Sequence, residues 1–138
     1  MSTTIFDTNV LLDLFVFNDV RAIRLKQALI DGKIKALATP KTLEEFSEVI
    51  ARPLFALNPD AQAKIQAQWQ GLAKVILDDD LTKAPWLCQD PDDQVFLDLA
   101  YTNKPCVLFS KDNEVLRFAK KAATDGVLIT ADYTAIVL

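Results

Sequence analysis

Apolar positions along the chain recur with two periods in alternation. Short runs with strand character are Thr4-Ile5-Phe6, the alternating Ile34-Lys35-Ala36-Leu37-Ala38, Cys106 to Phe109 and Val127-Leu128-Ile129. Between them lie segments with helical spacing: Asn9 to Phe17, Val20 to Ile30, Pro40 to about Arg52, Asn58 to Leu72, Asp90 to Thr102 and Asn113 to Ala123. Val75-Ile76-Leu77 reads as one more strand, ahead of the acidic turn Asp78-Asp79-Asp80. Punctuation agrees with the periods. Gly32 stands where a C-cap is needed, and Thr39-Pro40, Asn58-Pro59 and Asp90-Pro91 each place a capping side chain before a proline at the first helical position. Strands alternating with helices predict βαβ units and an α/β fold around a mainly parallel sheet.

At 138 residues the chain is sized for one domain, residues 1–138. A hydrophobic content of 51% with 25% charged residues is that of a globular protein. Absences then narrow the chemistry. There is no histidine, which removes histidine triads and histidine-ligated zinc. The three glycines are isolated, so neither a dinucleotide-binding loop nor a P-loop can be built. Cys88 and Cys106 are too few and too far apart for a metal knuckle, and are expected to be buried thiols in a reducing compartment. Met1 leads into Ser2-Thr3-Thr4 without a basic leader, and Val10 to Phe17 is too short to span a bilayer, so a soluble cytoplasmic protein is expected. Carboxylates, hydroxyls and lysines remain for catalysis. A net charge of −4 argues against a broad nucleic-acid-coating surface.

The carboxylates are placed with a pattern. Asp7 and Asp112 each follow an apolar strand, and acids at strand ends meet at one edge of a parallel sheet. Either could simply cap the helix that follows. Asp90, Asp92 and Asp93 crowd a helix start. Capping accounts for Asp90; Asp93, in the third helical position, flanks the stripe of Val95, Phe96 and Leu99 and is the better ligand. Among Glu44, Glu45 and Glu48, helical geometry ranks Glu45 first. It lies at the border of the stripe formed by Leu43, Phe46, Val49 and Ile50, roughly 40° from Val49, while Glu44 and Glu48 face solvent. Four acids at one place repel one another unless a cation sits among them, so Asp7, Glu45, Asp93 and Asp112 read as a divalent-metal site. Asn9, Asp90 and Ser110 are candidates for supporting contacts, with Thr8 at the same mouth. Asp13 is expected to be a solvated or helix-flank residue. Lys111, Arg117, Lys120 and Lys121 give the last helix a basic side, either a solvated face or a contact for nucleic-acid phosphates. Trp69 and Trp86 are expected in the core.

These motifs in this order resemble a PIN domain. Phe6-Asp7-Thr8-Asn9-Val10-Leu11-Leu12 is similar to the family's opening motif, and Leu43 to Val49 to its glutamate-bearing helix. Asp90-Pro91-Asp92-Asp93 with Phe96 to Ala100 resembles the segment around the third acid, and Leu108 to Asp112 the fourth. The resemblance covers nearly the whole chain, and is greatest to the small PIN-family toxins of bacterial toxin–antitoxin systems. Lys111 departs from the small residue, commonly glycine, that related proteins carry before the last aspartate.

The resemblance implies a three-layer α/β/α sandwich and a metal-dependent endoribonuclease. Asp7, Glu45, Asp93 and Asp112 would ligate one or two Mg²⁺ or Mn²⁺ ions, hard cations suited to oxygen ligands. Such ions can acidify a water and stabilise charge on a scissile phosphate without histidine. Two divalent ions would move the formal charge from −4 to −4 + 4 = 0. It further implies an RNA substrate, a cognate antitoxin protein and homodimerisation, with no membrane. Two other classes stay open. A phosphatase or phosphotransfer domain also places an aspartate after the first strand, although the haloacid-dehalogenase pattern wants Asp-x-Asp where this chain has Asp7-Thr8-Asn9. A non-catalytic module using the fold for a protein partner is the other.

Overall fold

The computed structural model describes residues 2–136; Met1, where the reading of the leader begins, lies outside them. Among the described residues, five strands form one parallel sheet: β1 (Ser2–Phe6), β2 (Ile34–Ala38), β3 (Ala73–Val75), β4 (Cys106–Phe109) and β5 (Val127–Thr130), in the order β3-β2-β1-β4-β5. Helices α1 (Thr8–Phe15), α2 (Ile23–Ile30), α3 (Pro40–Ile50), α4 (Pro59–Leu72), α5 (Pro91–Thr102), α6 (Asn113–Leu116) and α7 (Ala119–Thr124) connect them.

The period of two along the strands divides the core. Phe6, Ala36, Ala38 and Phe109 turn to one face, where they pack with Leu11, Leu14, Phe46, Ile50 and Trp69 from α1, α3 and α4. Their neighbours Ile5, Leu37 and Leu108 turn to the other, against Phe96, Leu99 and Ala122 from α5 and α7. The sheet is therefore covered on both sides, as the apolar runs at β1 and β4 require. Stacked Phe6 and Phe109, with ring centroids 5.7 Å apart, and Trp69 edge-on to Phe6 at 5.9 Å close the first face. Trp86 is buried on the second, so both tryptophans belong to the core.

The chain runs outward from β1 through β2 to β3, then returns to the other side of β1 for β4 and β5. That reversal puts the topological switch point between β1 and β4, at whose C-terminal ends open α/β sheets bind ligands. Register fixes it closely: Phe6 pairs with Phe109, and the Asp7 N–H donates to the Phe109 carbonyl at 2.9 Å. Asp7 and Ser110 consequently leave the sheet side by side.

Several boundaries differ from the sequence expectation. The segment from Val20 opens as a 3₁₀ turn, Val20–Ala22, capped by Asp19, before α2 begins. The last helical segment is broken in two, because the Phe118 N–H bonds to Val115 three residues back rather than four, tightening the ladder. β3 starts two residues earlier than Val75, directly from the end of α4. Gly32 ends α2 with φ +72°, as expected of a left-handed cap. Cys106 is buried, whereas Cys88 is only partly buried, on the rim of an open groove; both thiols are free. Among the described residues no helix is long and apolar enough to cross a membrane.

Candidate metal centre

Asp7 stands one residue past β1 and caps α1, its Oδ1 accepting from the Thr8 N–H at 2.7 Å. Asp112 caps α6 through the Glu114 N–H at 2.9 Å. Asp90 caps α5 through the Asp92 N–H at 2.9 Å, which places Asp93 at the third helical position. The capping accounts of Asp7, Asp90 and Asp112 thus all hold. They do not exclude ligation, since a carboxylate oxygen has two lone pairs and a cap at Asp90 or Asp112 engages one oxygen only.

Asp7, Asp93 and Asp112 come together. One carboxylate oxygen from each lies within 4.8 Å of the other two, past the C-terminal ends of β1 and β4. Asp7 is buried and the other two are half-buried. Ser110 braces the group: its hydroxyl donates to Asp7 Oδ2 at 2.6 Å and accepts from the Asp112 N–H at 3.0 Å. Glu45 stands outside this closest triad. It lies half-buried on α3, near enough to feel the charges of Asp92, Asp7, Asp93 and Asp90 in that order. Glu44 and Glu48 are exposed.

Electrostatics records the crowding. Burial, followed by the charges of Asp112, Asp7 and Asp90, pushes the Asp93 carboxyl up to about 7. Burial, then the four neighbouring aspartates, pushes Glu45 to about 7 as well. Asp7 is raised by burial, and the bonds from Ser110 and Thr8 hold that rise in check. Carboxyls kept from ionising by burial first and by one another second are a donor set in want of positive charge. The buried Thr8 hydroxyl next to Asp7 has no protein partner among the described residues. All-oxygen donors under mutual repulsion fit a hard divalent cation such as Mg²⁺ or Mn²⁺ and do not suit a soft one.

The remaining candidates are dispersed. Asn9 accepts from the Lys111 N–H at 3.2 Å, linking α1 to the β4–α6 loop. Arg117 pairs with exposed Glu114 at 3.5 Å, and Lys120 and Lys121 lie exposed on α7. Lys111 extends its ammonium to Asp13 Oδ2 at 2.7 Å. Asp13 overturns the sequence expectation. It is 2% exposed, not solvated, and also accepts from the Tyr133 hydroxyl at 2.5 Å. Both partners arrive from distant parts of the chain, so helical periodicity could not reveal them. The available signal was a lone acid inside the apolar run Val10 to Phe17, where a charge needs a partner. Tyr133 had no signal at all.

A family model described as PIN domain matches residues 3–114, from β1 into α6, and takes in Asp7, Glu45, Asp93 and Asp112. A comparison with curated proteins finds no match. PIN domains are generally nucleases and usually use divalent metal ions, in keeping with an acidic triad at the edge of a parallel sheet. With well over half of its length matched and those acids inside the match, the chain belongs to the PIN domain family.

Proposed function

We propose that residues 1–138 form one nuclease domain, a Mg²⁺- or Mn²⁺-dependent endoribonuclease that acts as the toxin of a toxin–antitoxin pair. The observation that carries the nuclease reading is the convergence of Asp7, Asp93 and Asp112 within 4.8 Å at the switch point of a PIN-domain sheet. The choice of RNA, and of an antitoxin as partner, rests on the likeness of the four motifs to those of the small toxins.

Asp7, Asp93 and Asp112 would hold the cation, with Glu45 completing the set from α3. When bound, the cation supplies Lewis-acid stabilisation of charge on the scissile phosphate and acidifies a water. The chain's own residues do the rest. Ser110 and the Thr8 N–H hold Asp7 in one orientation, so its oxygens meet the site already aligned. Asp93 and Glu45 give up protons as a cation binds, so metal affinity rises with pH through about 7. Lys120 and Lys121, exposed on α7, are available to RNA phosphates.

The test is cleavage of total cellular RNA by the purified protein in Mn²⁺ or Mg²⁺, with EDTA and Asp7→Asn as controls. Discrete fragments that vanish in both controls are expected. Cleavage that persists in Asp7→Asn would refute the assignment.

A further inference from the structure

One residue of the β4–α6 loop is held at both ends by a single helix. The Lys111 backbone N–H donates to Asn9, and its ammonium donates to Asp13, one turn further along α1. Residues four apart share a helix face, so α1 presents two acceptors in line to one lysine. Lys111 lies between Ser110, which braces Asp7, and Asp112, a member of the triad. Tyr133, beyond β5, donates to the same Asp13 oxygen.

The inward face of α1 is otherwise apolar, with Val10, Leu11 and Leu14 almost fully buried. A carboxylate in that company is costly, and buried ion pairs are weak stabilisers whose best-attested use is fixing register. An apolar side chain would suit the packing better. What Asp13 adds is a fixed point for residue 111, and rotation there would swing both Ser110 and Asp112. A binding constellation tolerates only about 0.5 Å of such movement.

We propose that Asp13 is a positioning residue of the metal centre: through Lys111 it fixes the β4–α6 loop against α1 and so aims Ser110 and Asp112 at Asp7. The consequence for metal rests on the nuclease reading above; the geometry does not.

The test uses Asp13→Asn, which keeps the shape and can still accept from Tyr133, together with Lys111→Met and the double variant, all in the full chain. Lys111→Met removes charge from a partly exposed side chain and folds even if the buried substitution does not. Amide hydrogen exchange is followed in EDTA, and Mn²⁺ affinity by calorimetry. Exchange about tenfold faster at Lys111, Asp112 and Glu114 alone is expected, with Mn²⁺ binding about tenfold weaker. The double variant should be no worse than the weaker single one, because the pair acts as a unit. Exchange raised uniformly across all elements, with Mn²⁺ affinity within about twofold of wild type, would make the pair a matter of global stability and overturn the proposal. A wild type that binds no Mn²⁺ would instead refute the metal reading, and exchange at Asp112 would still decide the staple.

Discussion

Replacing Asp93 by asparagine should stabilise the metal-free protein while abolishing its response to metal. In the fold its carboxyl is raised from 3.8 to about 7, roughly three pH units. At 1.36 kcal/mol per unit the full shift would be worth about 4 kcal/mol, but Asp93 is partly exposed and solvent screens its neighbours, leaving about 1–2 kcal/mol. The sign follows from linkage. A carboxyl whose folded value lies above its unfolded one favours the fold while protonated, and that contribution is lost as pH rises from about 4 through about 7. Glu45 acts in the same direction and shares the same neighbours, so the two shifts are not summed. In EDTA the wild type should therefore melt about 4–8 °C lower at pH 8 than at pH 5, and Asp93→Asn should recover most of that loss at pH 8. Adding Mn²⁺ at about a hundred times its Kd should stabilise the wild type by about 2.7 kcal/mol and leave the variant unmoved. Thermal melts by circular dichroism at the two pH values, with and without Mn²⁺, read all of this. A flat wild-type profile from pH 5 to 8, or a variant less stable than wild type at pH 8 in EDTA, would show that burial and neighbouring charge do not hold Asp93 from ionising.

Ser110→Ala removes the donor to Asp7 Oδ2; about tenfold weaker Mn²⁺ binding with a stability loss of about 1 kcal/mol is expected from calorimetry and melting, and unchanged affinity would deny Ser110 its bracing role. Glu45→Gln should reduce RNA cleavage at least about tenfold while Glu44→Gln, on the exposed side of α3, leaves it unchanged; equal effects would refute the ranking by helix face. Gly32→Ala should cost about 1 kcal/mol in chemical denaturation without touching Mn²⁺ affinity, since φ is +72° there and no neighbouring atom stands in the way of a methyl.

What could be read from the chain alone was whatever depends on local order. Short apolar runs placed β1, β4 and β5, alternation placed β2, and capping chemistry placed Asp7, Asp90 and Asp112 at helix starts, because those signals lie within a few residues of where they act. The meeting of Asp7 and Asp112 followed from a parallel sheet, which brings strand ends to one edge, and Asp93 joins them from the first turn of α5. Glu45 was ranked rightly above Glu44 and Glu48 for burial, yet its distance from the triad depends on how α3 crosses the sheet, which no periodicity encodes. Asp13 was misjudged for the same kind of reason. Its environment is made by Lys111 and Tyr133, 98 and 120 residues away, and only the folded chain joins them. The break between α6 and α7 is marked by neither proline nor glycine and was equally invisible.

The hydrogen bond from Ser110 to Asp7 joins residues 103 apart in the chain, and β4 reaches β1 only after β2, β3 and five helices have been made. Such closure is the slow part of folding, since its entropic cost precedes its reward. During synthesis, Asp7, Glu45 and Asp93 are all polymerised before β4, the strand that gathers them. The triad is thus complete only once Asp112, in the final third of the protein, is in place. A chain ending at Thr102 is expected to be inert toward Mn²⁺, and binding by it would show that three of the acids can assemble unaided.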